Sequence, residues 1–472
     1  MDFKNLNEMQ KTMLFGGVAV VLALLAFVTA PSPVKPDAFL DQGEVFFPDF
    51  EDPNSAATLE VFAFNEETGE PVPFKVTNEN GKWTIPSHHD YPADGKDRLA
   101  QTAASIIQLK KDDFRSDNIS DHEACGVIDP LDESVVTEGG RGKRVTIKGQ
   151  NGQVLADIII GKKVEGREGL RFVRLPDQKR IYVSKADVEI STKFSDWIET
   201  DLMKVEKDNI KEVVLRDYSI NERTLRVDNR DVVRLEKDGS DWSTDRIPAG
   251  QELDNTKVTS LLTGIDELKI VGVRPKPEGL MTSLDKAKRG EDLTQADAVK
   301  LQSLQSQGFY LARNGSNLEM LSNEGELSAL TSEGVRYTIR FGEIVYGSGL
   351  AVSAGAESET ETEKTDSDGP GENRYLFITA DFVASEFPEP KQPGSTEFLT
   401  KADSVLTDAD RENKRLYSAH EEWKRKVGKA QSLAQDLNAR FADWYYVIAS
   451  DSYDKIHLNR SDLLKKKEDE KS

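Results

Sequence analysis

Two segments of this chain resemble each other, and this internal similarity restricts the fold more than any other feature. Around Trp83 the sequence predicts a strand, a Gly turn, a second strand that carries the Trp, and then a helix. The same order recurs around Trp242. The strands follow from short apolar or alternating runs, and the helices from apolar residues spaced by three and four. We therefore predict two tandem copies of one structural unit.

An aspartate precedes the predicted helix in each copy, Asp94 in the first and Asp254 in the second. Because Asp at the N-cap accepts hydrogen bonds from amides of the first helical turn, both are predicted N-caps. Each copy then continues with apolar runs separated by turn residues, which is the pattern of an antiparallel meander. In the first copy these runs lie at 144–147, 155–160, 170–173 and 180–183, and in the second at 309–311, 335–341, 374–379 and 444–448. The copies end alike, at 194–197 and at 460–463.

The predicted fold is α+β, with two tandem units at 55–206 and 207–466 and a charged tail at 467–472. Each unit is predicted to have a mainly antiparallel sheet with a packed helix. The second unit is longer because it carries two insertions. The first insertion, 353–373, has seven acidic residues, one Lys and no large apolar side chain. It is therefore predicted to be a disordered, solvated loop.

The second insertion is a long helix, predicted over about 408–438. Its apolar residues recur at spacings of four and three, which gives the narrow stripe of a coiled coil or of a helix that lies on a sheet. Trp423, Val427 and Leu437 belong to this stripe. Such residues either pack on the core or contact a partner protein, and these three are the predicted partner contacts. A shorter helix near 294–306 is the predicted packing partner of the long helix within the chain.

The most apolar segment of the chain is 13–30, which carries no charge over 18 residues. A helix of this length spans about 27 Å, close to the hydrocarbon thickness of a bilayer. We predict a single transmembrane anchor here, with a cytoplasmic segment at 1–12 before it and a linker at 31–54 after it. Because Lys4 and Lys11 precede the span, the positive-inside rule places the bulk of the chain on the extracytoplasmic side of the inner membrane. The alternative is a cleaved signal peptide, because 28–30 resembles a cleavage site.

The sequence offers few groups for catalysis or metal binding. His88 and His89 are adjacent, but neighbouring side chains of an extended segment point to opposite faces, so a shared metal ion is not predicted. Cys125 is the one cysteine, and its apolar flank predicts a structural thiol rather than a nucleophile paired with His122. The sequence also lacks the phosphate-loop, nucleophile-elbow and zinc-protease motifs. We predict no catalytic or metal-binding residue and no cofactor.

Several motifs of the chain resemble the domain-of-unknown-function 4340 family. They are the strand around Trp83, the turn before Asp94, the segments 126–130, 158–161 and 181–183, and the closing segment 194–197. The resemblance covers 55–206 well, and 440–448 is similar to planctomycete-type members. It implies a bacterial, often single-pass membrane protein, related to auxiliary components of ABC-type transporters linked to gliding motility. No catalytic residue is known for this family, so the resemblance assigns none.

The sequence leaves three functions open. The first is a non-catalytic, membrane-anchored envelope protein that assists or scaffolds an ABC-type transporter, with the membrane and transporter subunits as partners. The second is an envelope sensor that binds a ligand in the groove between the two units, and the third is an envelope hydrolase with paired carboxylates. A nucleic-acid role is excluded, because 62 Lys and Arg against 84 Asp and Glu give a net charge of −22. We favour the first function.

Overall fold

The structure is a computed structural model. It describes residues 8–29, 41–66, 69–135, 137, 139–186, 190–199, 201–221, 224, 226–314, 317–346 and 372–467, except for the side chains of 8, 10, 11, 26–29, 313, 314 and 317. Nearly all of the acidic segment predicted at 353–373 lies outside these residues, and only 372 and 373 are described, at the start of a strand.

The described chain is α+β, with mostly antiparallel sheets and eight α-helices. The helices are α1 Glu8–Thr29, α2 Lys96–Ile107, α3 Asp121–Cys125, α4 Asn255–Asp266, α5 Leu280–Arg289, α6 Gln295–Gln305, α7 Asp408–Phe441 and α8 Ser450–Ile456. The α+β class predicted from the sequence is therefore confirmed for the described part of the chain.

The first sheet has nine strands in the order β4-β3-β2-β1-β6-β7-β8-β9-β5, and every neighbouring pair is antiparallel. The strands are β1 Ala56–Asn65, β2 Glu70–Glu79, β3 Lys82–Ile85, β4 Tyr91–Pro92, β5 Asp113–Ser116, β6 Lys143–Gly149, β7 Val154–Lys163, β8 Leu170–Arg174 and β9 Ile181–Lys185. Helix α2 joins the two opposite edges of this sheet, because β4 precedes it and β5 follows it.

The second sheet has eight strands in the order β12-β11-β10-β17-β18-β19-β20-β14. The strands are β10 Ile210–Asn221, β11 Arg226–Asp238, β12 Asp241–Thr244, β14 Ile270–Pro275, β17 Glu326–Thr331, β18 Val335–Tyr346, β19 Glu372–Phe382 and β20 Trp444–Ile448. Two small ribbons complete the strands, β13 Gln251–Leu253 with β21 Leu464–Lys466 and β15 Phe309–Asn314 with β16 Asn317–Ser322. Helix α4 again precedes the strand at the far edge, β14.

The segment 309–311, which we predicted as a strand of the second meander, is not part of the second sheet. It belongs to the ribbon β15–β16, and β17 occupies the place beside β10 that β6 occupies beside β1 in the first sheet. The helices α5 and α6 and this ribbon are inserted between β14 and β17 and pack together on one face of the sheet. Sequence pattern misplaced this strand because both segments are short apolar runs.

The N-cap prediction is right for one helix and wrong for the other. The carboxylate of Asp254 accepts hydrogen bonds from the amides of Thr256 and Lys257 at 2.9 and 3.4 Å, so it caps α4. In α2 the N-cap is Gly95, and no side chain bonds to the first turn. Asp94 lies one residue too early to cap this helix.

The two sheets share one continuous core. Its fully buried side chains come from both sheets and include Leu59, Val145, Val213 and Ile339. At the junction the ring of Tyr91 packs edge-to-face on Trp444, with centroids 5.0 Å apart. Arg440 also donates a hydrogen bond to the carbonyl oxygen of Asp201 at 3.0 Å. The space between the sheets is thus occupied by packed side chains at this junction.

Helix α1 covers most of the segment for which we predicted a membrane anchor. Its described side chains, at 9 and 12–25, are all exposed. The end of the predicted span, from residue 26 onward, lies outside the described side chains. Within the described part of the chain, no helix has the combination of length and apolar character that a membrane crossing needs.

Candidate functional site

The long helix α7 has two different halves. Its C-terminal part lies on the second sheet, where Ala430, Ala434 and Phe441 are buried and Asn438 accepts a hydrogen bond from the amide of Ala380 at 3.0 Å. Between Arg411 and Lys429 the helix has no fully buried residue. Since α7 has 34 residues and is therefore about 51 Å long, much of it extends beyond the sheet face on which it is anchored.

A segment before α7, residues 383–406, runs along this outer half, and we call it the strap. Trp423 donates a hydrogen bond from Nε1 to the carbonyl oxygen of Phe387 at 2.9 Å. His420 contacts the carboxylate of Glu389 at 3.1 Å. Nearer the tip, the rings of Phe398 and Tyr417 meet edge-to-face at 5.7 Å. These contacts tie the strap to one face of α7.

The strap is held to the body at its start. Phe387 stacks on Phe382 with centroids 5.8 Å apart, and Glu386 pairs with Lys211. The Phe387 ring also lies directly over Gly334, where a Cβ would collide with it and where φ is +74°. Both facts require glycine at this turn. We call the outer half of α7 together with the strap the arm.

The tip of the arm is closed by a capping box and an ion pair. Thr407 caps α7 by accepting a hydrogen bond from the amide of Asp410 at 3.2 Å, and the Asp410 carboxylate accepts one from the amide of Thr407 at 3.0 Å. Lys401 approaches the same carboxylate at 2.9 Å. The hydrogen bonds from Lys401 and Thr407 lower the pKa of Asp410 to about 2. The tip is therefore an ordered structure with a carboxylate that stays ionised.

Two apolar side chains stand out at this tip. Leu399 and Val405 are 59% and 64% exposed. Both lie in the strap, outside the stripe of α7 that the sequence analysis used to choose contact residues. A search for helical periodicity could not find them, because they are not part of a helix with that periodicity.

The three predicted partner contacts have different surroundings. Trp423 and Val427 are both half-buried, and Trp423 is bonded to the strap. Leu437 is 3% exposed and packs in the shared core. At Leu437 a partner contact stays a prediction, and in this structure the side chain faces the core where this part of α7 packs on β19. The predicted pairing of α7 with the helix near 294–306 fails to match, since α6 packs on α5 and β15 while α7 packs on β18 and β19.

Of the groups considered for chemistry, His88, His122 and Cys125 are buried and His89 is exposed. His88 is stacked on Phe194 with centroids 4.7 Å apart, and burial lowers its pKa to about 4. Burial likewise raises the pKa of the Cys125 thiol, while His122 bonds to the carbonyl oxygen of Lys179 at 2.9 Å. No cluster of three or more potential metal ligands occurs among the described residues.

Sequence reasoning missed one unusual side chain, Lys276. It is 7% exposed, and its Nζ donates a hydrogen bond to the carbonyl oxygen of Phe441 at 2.8 Å. The same atom lies 3.9 Å from the centroid of the Phe377 ring. Burial lowers the pKa of Lys276 to about 7. Lys276 lies at the last carbonyl groups of α7, where the helix dipole favours a positive charge. The one sequence signal that could have drawn attention to it is its position between Pro275 and Pro277.

Comparison with known proteins identifies one domain. No curated protein and no solved structure matches the chain. A family model matches residues 83–288, which run from β3 in the first sheet to α5 after the second helix-strand crossing. The match begins later and ends later than the region 55–206 in which we saw the resemblance. The model that matches is that of the Domain of unknown function (DUF4340).

Proposed function

We propose that the chain is a non-catalytic, single-pass envelope protein that acts as an accessory or scaffold of an ABC-type transporter. The observation that carries the proposal is the arm, a helix anchored in the core at one end and braced by the strap along the other. Its tip exposes Leu399 and Val405 on an ordered surface. Such an element suits contact with another protein, because isolated apolar side chains on a rigid support lose little entropy on binding.

The membrane anchor of the proposal is the segment 13–30. It is supported by the lack of any charge over 18 residues and by the exposure of the described side chains at 12–25, which pack on neither sheet. The positions of Lys4 and Lys11 support an extracytoplasmic location of both sheets.

The body of the protein is proposed to consist of two tandem copies of one unit. The supporting observation is the order of strands. In each sheet consecutive strands lie at one end, four in the first sheet and three in the second. The strand after the helix lies at the opposite edge, and four later strands fill the space between them in chain order. Inserted elements distinguish the second copy, and the arm is one of them. An insertion is not needed for the packing of the repeated unit, so it is available for binding.

The transporter as partner is supported by the resemblance of the segments at 126–130, 158–161 and 440–448 to the family described above. It is tested by co-purification. The tagged full-length chain is extracted from membranes in mild detergent, and the proteins recovered with it are identified by mass spectrometry. We expect subunits of an ABC-type transporter among them.

The matched variants are Val405→Asp at the tip and Val299→Asp on α6, since these two valines are 64% and 63% exposed. The first should lose the transporter subunits and the second should retain them. Recovery of the protein without transporter subunits, or equal recovery with both variants, would contradict the proposal.

A further inference from the structure

A long polar groove lies along α4 on the second sheet, apart from the arm. One end has a volume of 680 Å³ between α4 and α8, with Thr263, Glu267 and Lys455 in its walls. The other end has a volume of 300 Å³ between α4 and the β11–β12 hairpin, with Asp241 and Trp242 in its wall. Both volumes are in the range of small-molecule sites.

The two ends adjoin along the exposed face of α4. Asn255 and Thr259, one helical turn apart, line both of them. The shared wall is the exposed face of α4, a helix of 12 residues and so about 18 Å long. In the last turn of α4, Gly264 allows α8 to approach, because a Cβ there would lie 3.0 Å from Ile456 and 3.1 Å from Lys455. A ligand that reaches both ends must therefore be elongated.

The wall presents hydroxyl groups with unused hydrogen-bonding capacity. Thr256, Ser260 and Thr263 lie on the groove side of α4, and Ser452 faces them from α8. Among the described residues, none of these four hydroxyls has a hydrogen-bond partner. The side-chain amide of Asn255 adds a donor and an acceptor. A ligand rich in hydroxyl groups could pair with all of them.

The groove differs in charge from the rest of the molecule. In the larger end, Lys269 and Lys455 stand against the single acid Glu267. In the smaller end, Lys207 and Lys237 are balanced by Asp208 and Asp241. The formal charges of the residues that line both ends sum to +1, whereas the net charge of the whole chain is −22. This balance favours a neutral or weakly anionic ligand over a cationic one.

The smaller end also supplies an aromatic surface. Trp242 of β12 is half-buried, with one part of the indole in the core and another in the groove. Its Nε1–H makes no hydrogen bond within the described part of the chain. An indole offers an apolar face for the C–H groups of a sugar ring and a donor for a hydroxyl at its edge.

We propose that this groove binds an oligosaccharide, with sugar hydroxyls on the α4 side chains and one ring on Trp242. The proposal is independent of the transporter partner and of the arm. It rests on the shape of the groove, its hydroxyl lining and its charge balance together.

The test is isothermal titration calorimetry of the full-length protein in detergent with chitotetraose and with cellotetraose. We expect one of these to bind with millimolar or tighter affinity. Ser260 is exposed and Thr263 is half-buried on α4, so Ser260→Ala and Thr263→Val should keep the helix intact. Together the two changes should weaken binding several-fold. Trp242→Ala should weaken it about 10-fold or more.

The controls are Ser105→Ala, which removes a hydroxyl from α2, and Trp83→Ala on β3, the counterpart of Trp242 in the first sheet; both should leave binding unchanged. Circular dichroism verifies that each variant is folded, and the α4 double variant keeps the test valid if Trp242→Ala unfolds. The proposal is overturned if neither tetrasaccharide binds. It is also overturned if the α4 double variant binds as tightly as the natural chain.

Discussion

The backbone amide of Asp254 donates a hydrogen bond to the carbonyl oxygen of Leu463 at 2.9 Å. The amide of Asp94 makes the corresponding bond to Trp197 at 2.8 Å. In both cases the acceptor is the last residue of a short 3-10 helix, Arg460–Leu463 or Phe194–Trp197. The loop before each sheet-crossing helix is thereby tied to the closing segment of the same half of the chain.

The side chains of these two aspartates are predicted to contribute unequally to stability. Asp254→Ala removes the cap of α4 and should lower the free energy of unfolding by about 1 kcal/mol. Asp94→Ala removes no cap and should change it by less than about 0.5 kcal/mol. Urea unfolding followed by circular dichroism measures both. Equal losses from the two variants would show that the capping bonds of Asp254 are not the cause.

Leu437 is predicted to act as a core residue. Leu437→Ala should lower the free energy of unfolding by about 2–5 kcal/mol, because it opens a cavity where α7 meets the shared core. Its exposed neighbour Asp436 provides the control, and Asp436→Ala should change stability by less than about 0.5 kcal/mol. If Leu437→Ala left the unfolding curve unchanged, the docking of α7 on the sheet would be wrong.

His88 should make the protein less stable in mild acid. Its folded-state pKa is about 4 and its ordinary value is 6.5, so the unfolded chain binds the proton first as the pH falls. The free energy of unfolding should therefore decrease between pH 6.5 and pH 4. His88→Phe should reduce this decrease and His89→Gln should not, when thermal unfolding is compared at pH 7 and pH 4.5. The same pH dependence in all three proteins would contradict the assignment to His88.

Lys276 should make the stability of the protein depend on pH above pH 7. Its folded-state pKa is about 7 against an ordinary 10.5, so the unfolded chain holds the extra proton between these values. The free energy of unfolding contributed by this site should rise as the pH increases from 7 to 10.5. Lys276→Met should remove that rise, whereas Lys288→Met on the exposed side of α5 should keep it. Denaturant unfolding at pH 7 and pH 9.5 measures the difference, and an unchanged rise in Lys276→Met would refute the prediction.

Local sequence signals were sufficient for much of the fold. The Gly turns before Trp83 and Trp242, the apolar spacing of α2 and α4, and the start of α7 near residue 408 all depend on residues close in sequence. Strand neighbours were harder, because the position of β17 beside β10 depends on pairing across more than 100 residues. Periodicity also could not show which side chains of the α7 stripe are covered by the sheet, by the strap or by nothing.

The candidate sites were less predictable than the fold. The strap contributes Leu399 and Val405 from 3-10 helices too short to show a periodic pattern. The α4 groove depends on the approach of α8 to Gly264 from a distant part of the chain. Lys276 is likewise buried by distant segments, since it contacts the ring of Phe377 and the carbonyl oxygen of Phe441. Each of these features forms only when segments far apart in sequence fold together.

We propose that the tip of the arm contacts a transporter in the envelope. Photo-crosslinking tests this contact, with a photoreactive amino acid at position 405 of the full-length protein, in cells, and position 299 on α6 as the control. Illumination should link position 405 to a subunit of an ABC-type transporter, identified by mass spectrometry, and position 299 should not form this product. No cross-link from position 405 would contradict the proposed contact. Equal cross-linking from positions 405 and 299 would contradict it as well.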